Sequence, residues 1–268
     1  MSKLCNMIGM TRQNYYKTQK THQKQEEHTM EVYRAVLKLR KSHPRMGARK
    51  LQLNLKERGV VIGRDRLFVV LKKLGLLVPP VKRAAKTTNS RHSLPIFRNL
   101  IKDLEVTHRN QVWVSDITYL RINGGFVYLS LIMDLYSRKI VGWHCGDTLE
   151  AIGCMNALRM ALKSLPVGEK PIHHSDRGCQ YCCHAYVGML KSKTSGISMT
   201  EINHCYENAH AERLNGILKQ EYNLGCTFRN RKQVRKAAAQ AVALYNNERL
   251  HEALAYRIPA EVYRNDAA

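Results

Sequence analysis

Between Gln111 and Cys145 the hydrophobic pattern takes a period of two, three times over, with very little chain between the runs. "QVWVSDITYLRI" alternates as a strand does, setting Val112, Val114, Asp116 and Thr118 on one face. "GG" at 124–125 marks a turn, "FVYLSLIMDLYS" is a second β-rich run and "RKIVGWHC" a third. Strands joined by turns this short pair antiparallel, because a parallel pair needs a long crossover. A helix follows from about Leu149 to Leu165, then the short strand "KPIHHS", a helix near 179–192 and the strand "GISMT". The helix "ENAHAERLNGILKQEY" and another over 230–248 complete the run. That order of elements predicts an α/β layered sheet.

The part before residue 100 has a different period. From Glu31, Val32, Ala35, Val36 and Leu39 recur at helical spacing; Pro44 and Gly47 interrupt. Ala48, Leu51 and Leu55 mark a second helix ending near Gly59, and Leu67, Val70, Leu71 and Leu74 a third. Arg64, Arg66, Lys72 and Lys73 fall on the outer faces of that third helix. Two short helices around a tight turn, the second bearing cations, suggest a helix-turn-helix that reads the major groove, although any small helical domain shows this pattern. "PPVKRAAKTTNSRHSLP" reads as an exposed linker. The expected division is a basic segment at 1–30, the helix-turn-helix at 31–80, a linker at 81–100, the α/β core at 101–225 and a helical extension at 226–268.

Charge supports a nucleic-acid partner for the first part. The chain holds 44 Lys+Arg against 21 Asp+Glu. Of these, 23 basic and five acidic residues lie in positions 1–100, a net of +18, against a net of +5 for the other 168 residues. A basic excess on compact helical patterns is an electrostatic footprint for DNA. No apolar run reaches the ~18–20 residues of a membrane span, so no membrane partner is expected and the expected compartment is the cytosol. The eight cysteines, seven of them after residue 144, read as reduced thiols.

Three carboxylates then need an explanation. Asp116 lies mid-strand, where an acid is costly unless it faces solvent, a cation or a metal. Asp176 ends a short strand, where α/β sheets place their sites. Glu212 sits on an amphipathic helix with Asn208, Asn215, Gly216 and Lys219 at three-, four- and seven-residue offsets. Singly, each has a plain structural role available: a salt bridge, a turn residue, a solvated helix charge. Together they suggest more. A fourth strand pairing beside the first brings Asp176 toward Asp116, and a helix across that edge brings in Glu212. Such a cluster repels itself by roughly 4 kcal/mol per pair at 4 Å and an effective dielectric of 20, and divalent cations relieve it. All-oxygen ligands suit Mg²⁺ or Mn²⁺.

These residues carry a resemblance. "VWVSDITYL", "LSLIMDLYSRKIVGWH", "HHSDRGCQY", "ENAHAERLNGILKQEY" and "YNNERLHEALAYRIPAEVY" resemble insertion-sequence transposases with a retroviral-integrase-like catalytic core. Asp176 and Glu212 are separated by 35 residues, the spacing of that family's second and third acids. The resemblance implies a ribonuclease H-like fold with a mixed five-stranded sheet. It gives Asp116, Asp176 and Glu212 the roles of a catalytic and metal-holding DDE triad, served by two Mg²⁺ or Mn²⁺ ions. It makes Lys219 the basic residue that contacts DNA near the cleavage point. Asn208, Arg213 and Asn215 are expected to help there, and Arg64 and Arg66 in the helical module. It implies double-stranded DNA as partner, at element ends and target, action as a homo-oligomer, and an upstream-frame DNA-binding product as a further partner. The chain departs from the family at Cys179, Glu207 and Arg213 and in "TEINH".

Some residues compete for attention. Cys179, Cys182, Cys183 and Cys205, near His173, His174, His184 and His204, suggest zinc, but no second well-spaced pair completes a structural site and incidental thiols are expected. His174 shares a strand face with Asp176 and either touches the site or packs the core. Asp134, at the end of the second strand, is read as structural. Two other functions use the same features: a DNA-binding regulator that has lost the chemistry, and a nuclease of the same fold.

Overall fold

The computed structural model describes Met7 and residues 9–79, 94–201 and 208–266. The chain divides into two units, Met1–Pro80 and Val81–Ala268. Among the described residues, no helix is long and apolar enough to cross a membrane.

The first unit is three helices: α1 (Arg12–Ser42), α2 (Ala48–Glu57) and α3 (Arg64–Lys73). Val32, Val36 and Leu39 of α1 meet Leu51 and Leu55 of α2 and Leu67 and Leu71 of α3, the same positions the apolar period selects. The helix start differs from the sequence expectation. α1 begins nineteen residues before Glu31, because residues 12–30 are good polar helix formers with no apolar stripe for periodicity to find. Thr11 caps them, its hydroxyl accepting from the Asn14 N–H at 3.2 Å, and Gln23 donates to Glu27 at 3.1 Å one turn on.

The second unit is built on a five-stranded sheet. Its strands are β1 (Val112–Ile122), β2 (Gly125–Asp134), β3 (Ile140–Gly146), β4 (Ile172–Ser175) and β5 (Gly196–Met199), in the order β3-β2-β1-β4-β5. β1, β2 and β3 form the antiparallel meander, with Trp113 opposite Asp134 and Ile122 opposite Gly125. β4 runs parallel to β1, pairing His173 with Trp113, and β5 runs parallel to β4.

Alternation along β1 sends side chains to two cores. Val112, Val114 and Leu120 pack under α7 (Ala209–Glu221) and α8 (Arg231–Asn247). Trp113 and Ile132 face the opposite layer of α4 (Ala151–Lys163), α5 (Cys179–Cys182) and α6 (His184–Lys191). The helix expected over 179–192 is therefore two, divided at Cys183, whose backbone is extended at ψ 145°. α8 is not an appendage either. Val234, Ala238, Ala241, Val242 and Tyr245 are part of the first core, and α9 (Pro259–Asn265) places Tyr263 in the second.

α4 lies close on β3 because position 142 is glycine. A Cβ there runs into the Ala157 carbonyl and lies 2.9 Å from the Ala161 Cβ. Gly142→Val should force helix and strand apart, at about 2–3 kcal/mol, lowering Tm by roughly 5–10 °C in thermal melts. An unchanged melt would show that this contact yields freely.

Candidate active site

Asp116 lies in the middle of β1, opposite Leu131 of β2. One carboxylate oxygen accepts the Ile117 N–H at 2.8 Å, and the other accepts from the Asn215 side-chain amide at 2.6 Å. Burial, with the negative charges of Asp176 and Glu212 added, pushes its pKa up to about 7 against the bonds from Ile117 and Asn215. Burial is the largest cause of that rise, the Asp176 charge comes next, and Glu212 adds less.

The elements that bring the other two acids in are visible. Parallel pairing of β4 with β1 puts Asp176, the residue just beyond Ser175, at the strand edge beside Asp116. There its Oδ1 accepts the Gly178 N–H at 3.0 Å, and a Cβ on residue 178 would come equally close to that oxygen, so a glycine fits this turn. Glu212 is exposed in the first turn of α7. Buried Asn208 fixes the start of that helix by donating its amide to the Ser115 carbonyl at 3.1 Å. The helix is thus pinned to the residue before Asp116.

Asn215 and Lys219 lie one and two turns beyond Glu212. Lys219 is half-buried; burial lowers its pKa while the Asp116 carboxylate raises it, so the ammonium stands within the field of the acidic cluster. Arg213 is exposed. Arg64 and Arg66 are exposed on α3 in the other unit, Arg64 with its Nε 2.9 Å from Asp65.

Asn208 and Asn215 are 3% and 8% exposed, and their amide nitrogens donate to the Ser115 carbonyl and the Asp116 carboxylate. Helical spacing placed them near Glu212 but could not tell that α7 turns them toward β1. Sequence reasoning missed a layer behind the site as well. Ser115 Oγ and the Tyr186 hydroxyl lie 2.7 and 2.9 Å from His173 Nε2. Burial holds that imidazole neutral, with its pKa down at about 3. Alternation in "VSD" was the available signal, since Ser115 must face away from Asp116.

His174 is fully buried with Nδ1 2.9 Å from Ser198 Oγ, a link between β4 and β5. Asp134 is fully buried too, accepting from the N–H groups of Asn110 at 2.7 Å and Ser137 at 2.9 Å and from the Ser137 hydroxyl at 2.5 Å. Those bonds hold the β2–β3 turn and the lead into β1. Cys182 is buried with its thiol 3.7 Å from the Met199 sulfur, whereas Cys179 is exposed. Glu207, His204 and Cys205 lie outside the described residues.

Among the described residues, no three His, Cys, Asp or Glu side chains stand close enough to hold one metal ion. The acids share a field without closing on a common point. Their donor set still fits a hard divalent cation: three carboxylates, all oxygen, on three different elements.

The antiparallel meander with parallel fourth and fifth strands defines the fold: a ribonuclease H-like, integrase-type core. Two Integrase core domain families match, over residues 106–205 and 194–259. An uncharacterized 31 kDa protein of insertion element IS600 from Shigella sonnei is 34% identical over 99% of this chain and 100% of its own length. The transposase InsF of insertion sequence IS3A from Escherichia coli K12 is 30% identical over 92% of this chain and 88% of its own. The HTLV-2 integrase catalytic core, solved in complex with magnesium, aligns at 18% identity over 62% of this chain and 99% of that one, with a TM-score of 0.46. The chain belongs to the insertion-sequence transposases with an integrase-like core.

Proposed function

We propose that this chain binds the inverted-repeat ends of its mobile element, cleaves a phosphodiester there to free a 3′-hydroxyl, and joins that hydroxyl to a second DNA strand. Asp116, Asp176 and Glu212 carry the chemistry. The observation behind this is the Asp116 carboxyl, raised to about 7 by burial and by Asp176 and Glu212 together. Three carboxyl groups in one another's field are costly to ionise together, and a divalent cation would offset that cost, which supports this reading.

The three carboxylates would hold Mg²⁺ or Mn²⁺. Bound there, two such ions supply the activation of water or a 3′-hydroxyl and the stabilisation of the leaving oxygen. Asn215 orients the Asp116 carboxylate by its 2.6 Å bond. Lys219 meets a phosphate close to the cleaved bond. The layer of Ser115, His173 and Tyr186 keeps β1 and β4 in register, so Asp116 and Asp176 are held at a set separation. The first unit supplies end recognition through Arg64 and Arg66 on α3. The reaction takes place in the cytoplasm on double-stranded DNA by a homo-oligomer, with an upstream-frame product as a further DNA-binding partner.

The test is single-turnover cleavage and strand transfer with a labelled element end in Mg²⁺ or Mn²⁺, and binding measured in Ca²⁺. End-specific binding without metal-dependent cleavage would make the chain a regulator, and cutting without end preference a nuclease.

A fragment beginning at Leu94 tests the division of labour. It keeps Leu94 and Phe97, which pack on the second core. It should lose end preference and show a shallower salt dependence, by about 0.9 in log–log slope for each phosphate contact removed. An unchanged slope and preference would place recognition in the core instead.

A further inference from the structure

The second unit holds a cavity of about 640 Å³ between the segment leading into β1, the β2–β3 turn, the start of α7 and the stretch before α9. Leu135 and Leu254 are part of its apolar floor. Lys102, Arg138, His210 and Arg257 line it, and no acidic side chain does. Among the described residues none of these cations has an ion pair with Asp or Glu, the nearby Asp134 being occupied with Asn110 and Ser137.

Two further observations point to a ligand. The Arg138 guanidinium places one nitrogen 2.9 Å from His210 Nδ1, which fixes the imidazole with its proton on Nε2 as a second donor. Yet the Arg138 Nε is buried with no hydrogen-bond partner. A buried donor left unsatisfied is costly, so Arg138 gains if a small movement admits an acceptor to it. Backbone strain also gathers here. Arg138, Ala255 and Tyr256 take left-handed φ values of 62°, 52° and 62°, three of the five non-glycine residues that do so among those described. Strain of this kind is characteristic of ligand clamps.

We infer that this cavity is a phosphodiester-binding pocket, in which Arg138 and His210 donate to a DNA phosphate and Lys102 and Arg257 neutralise it from the rim. Its apolar floor receives the sugar. A guanidinium fork with unspent donors matches a phosphate better than a lysine cluster does. None of the three acids lines the pocket, so the phosphate it takes is held by cations alone. That the phosphate belongs to DNA rests on the proposed function; that the pocket takes a phosphate does not.

The experiment measures binding of the full chain to an element-end duplex in Ca²⁺ over a range of salt, for wild type, Arg138→Gln, Arg138→Lys and Lys102→Gln. Lys102 is exposed, so its variant folds whatever becomes of Arg138. Arg138→Gln and Lys102→Gln should each lower the log–log slope by about 0.9 and weaken binding roughly tenfold at low salt, with Arg138→Lys recovering the slope. A single neutral methylphosphonate, moved along the duplex, should reproduce the loss at one position for wild type and have no effect there on Arg138→Gln. Unchanged slopes overturn the inference. If inorganic phosphate raises the Tm of wild type but not of Arg138→Gln while the slopes stay equal, the pocket serves a small anion and the DNA assignment fails. Wild type that binds with the expected slopes but never cleaves in Mg²⁺ overturns the proposed function and leaves the pocket standing.

Discussion

Asp116→Asn, Asp176→Asn and Glu212→Gln should each lower single-turnover cleavage and strand transfer by roughly a thousandfold or more, while binding in Ca²⁺ stays within a few-fold of wild type. Each change keeps approximate size and removes one negative ligand, so neither the attacking nor the leaving oxygen is then fully served. The triple variant should be little worse than any single one, because groups that act as a unit do not add. Glu207→Gln is the internal control and should keep most activity. A substantial residual rate in Asp176→Asn, or a dead Glu207→Gln, would show that the acids have been assigned wrongly.

Stability should move the other way at Asp116. In the metal-free protein its carboxyl holds a proton up to about pH 7, whereas the unfolded chain releases it near the ordinary value of 3.8. The folded state therefore binds more protons between those values. That contribution is fully present below about pH 4 and is lost as the pH rises through 7. Above pH 7 the ionised acid costs the folded state on the order of 1–3 kcal/mol, and Asp116→Asn should recover it. Thermal melts in chelator from pH 4 to 8 would read this as a falling Tm for wild type and a flatter profile for the variant. Mg²⁺ should raise the wild-type Tm at pH 8 and leave the variant unchanged. Parallel profiles with and without metal would remove the cluster's energetic basis.

Asp134→Ala should do the reverse: destabilise the second unit by about 3–5 kcal/mol, with activity lost only in proportion to unfolding. The side chain is fully buried, and its removal strands the N–H groups of Asn110 and Ser137 and the Ser137 hydroxyl. The damage extends further, since Asn110 also accepts from the Trp113 indole at 2.9 Å and bonds Glu169 and Tyr263. A shift in urea midpoint of less than about 1 kcal/mol equivalent would mean that water replaces the carboxylate without cost. The two aspartates sit on paired neighbouring strands, and the sign of the stability change separates the one that holds the turn from the one placed for a cation.

Much of this was legible beforehand, for identifiable reasons. A period of two with short turns admits only a meander, so β1–β3 followed from the order of apolar residues. The apolar period of α1–α3 chose the same core positions that the structure buries. The polar first half of α1 was invisible to that signal because its stability comes from capping and local pairs. The break at Cys183 was equally hidden, since nothing in "CQYCCHAY" interrupts a helical pattern.

Residue order alone set which residue types were available and in what local period: an acid mid-strand, an acid at a strand end, an acid and a lysine seven apart on one helix. These are one-dimensional facts, set by backbone periodicity. What those acids feel was decided only by tertiary structure. Parallel pairing of β4 with β1 and the Asn208 bond to Ser115 bring Asp176 and Glu212 into the field of Asp116, across distances in sequence that no local rule spans. The same holds for Asn215, whose amide reaches Asp116 at 2.6 Å, and for Arg138 and His210, 72 residues apart in sequence and hydrogen-bonded at 2.9 Å. Burial and charge coupling depend on where elements pack, and packing is a property of the whole chain.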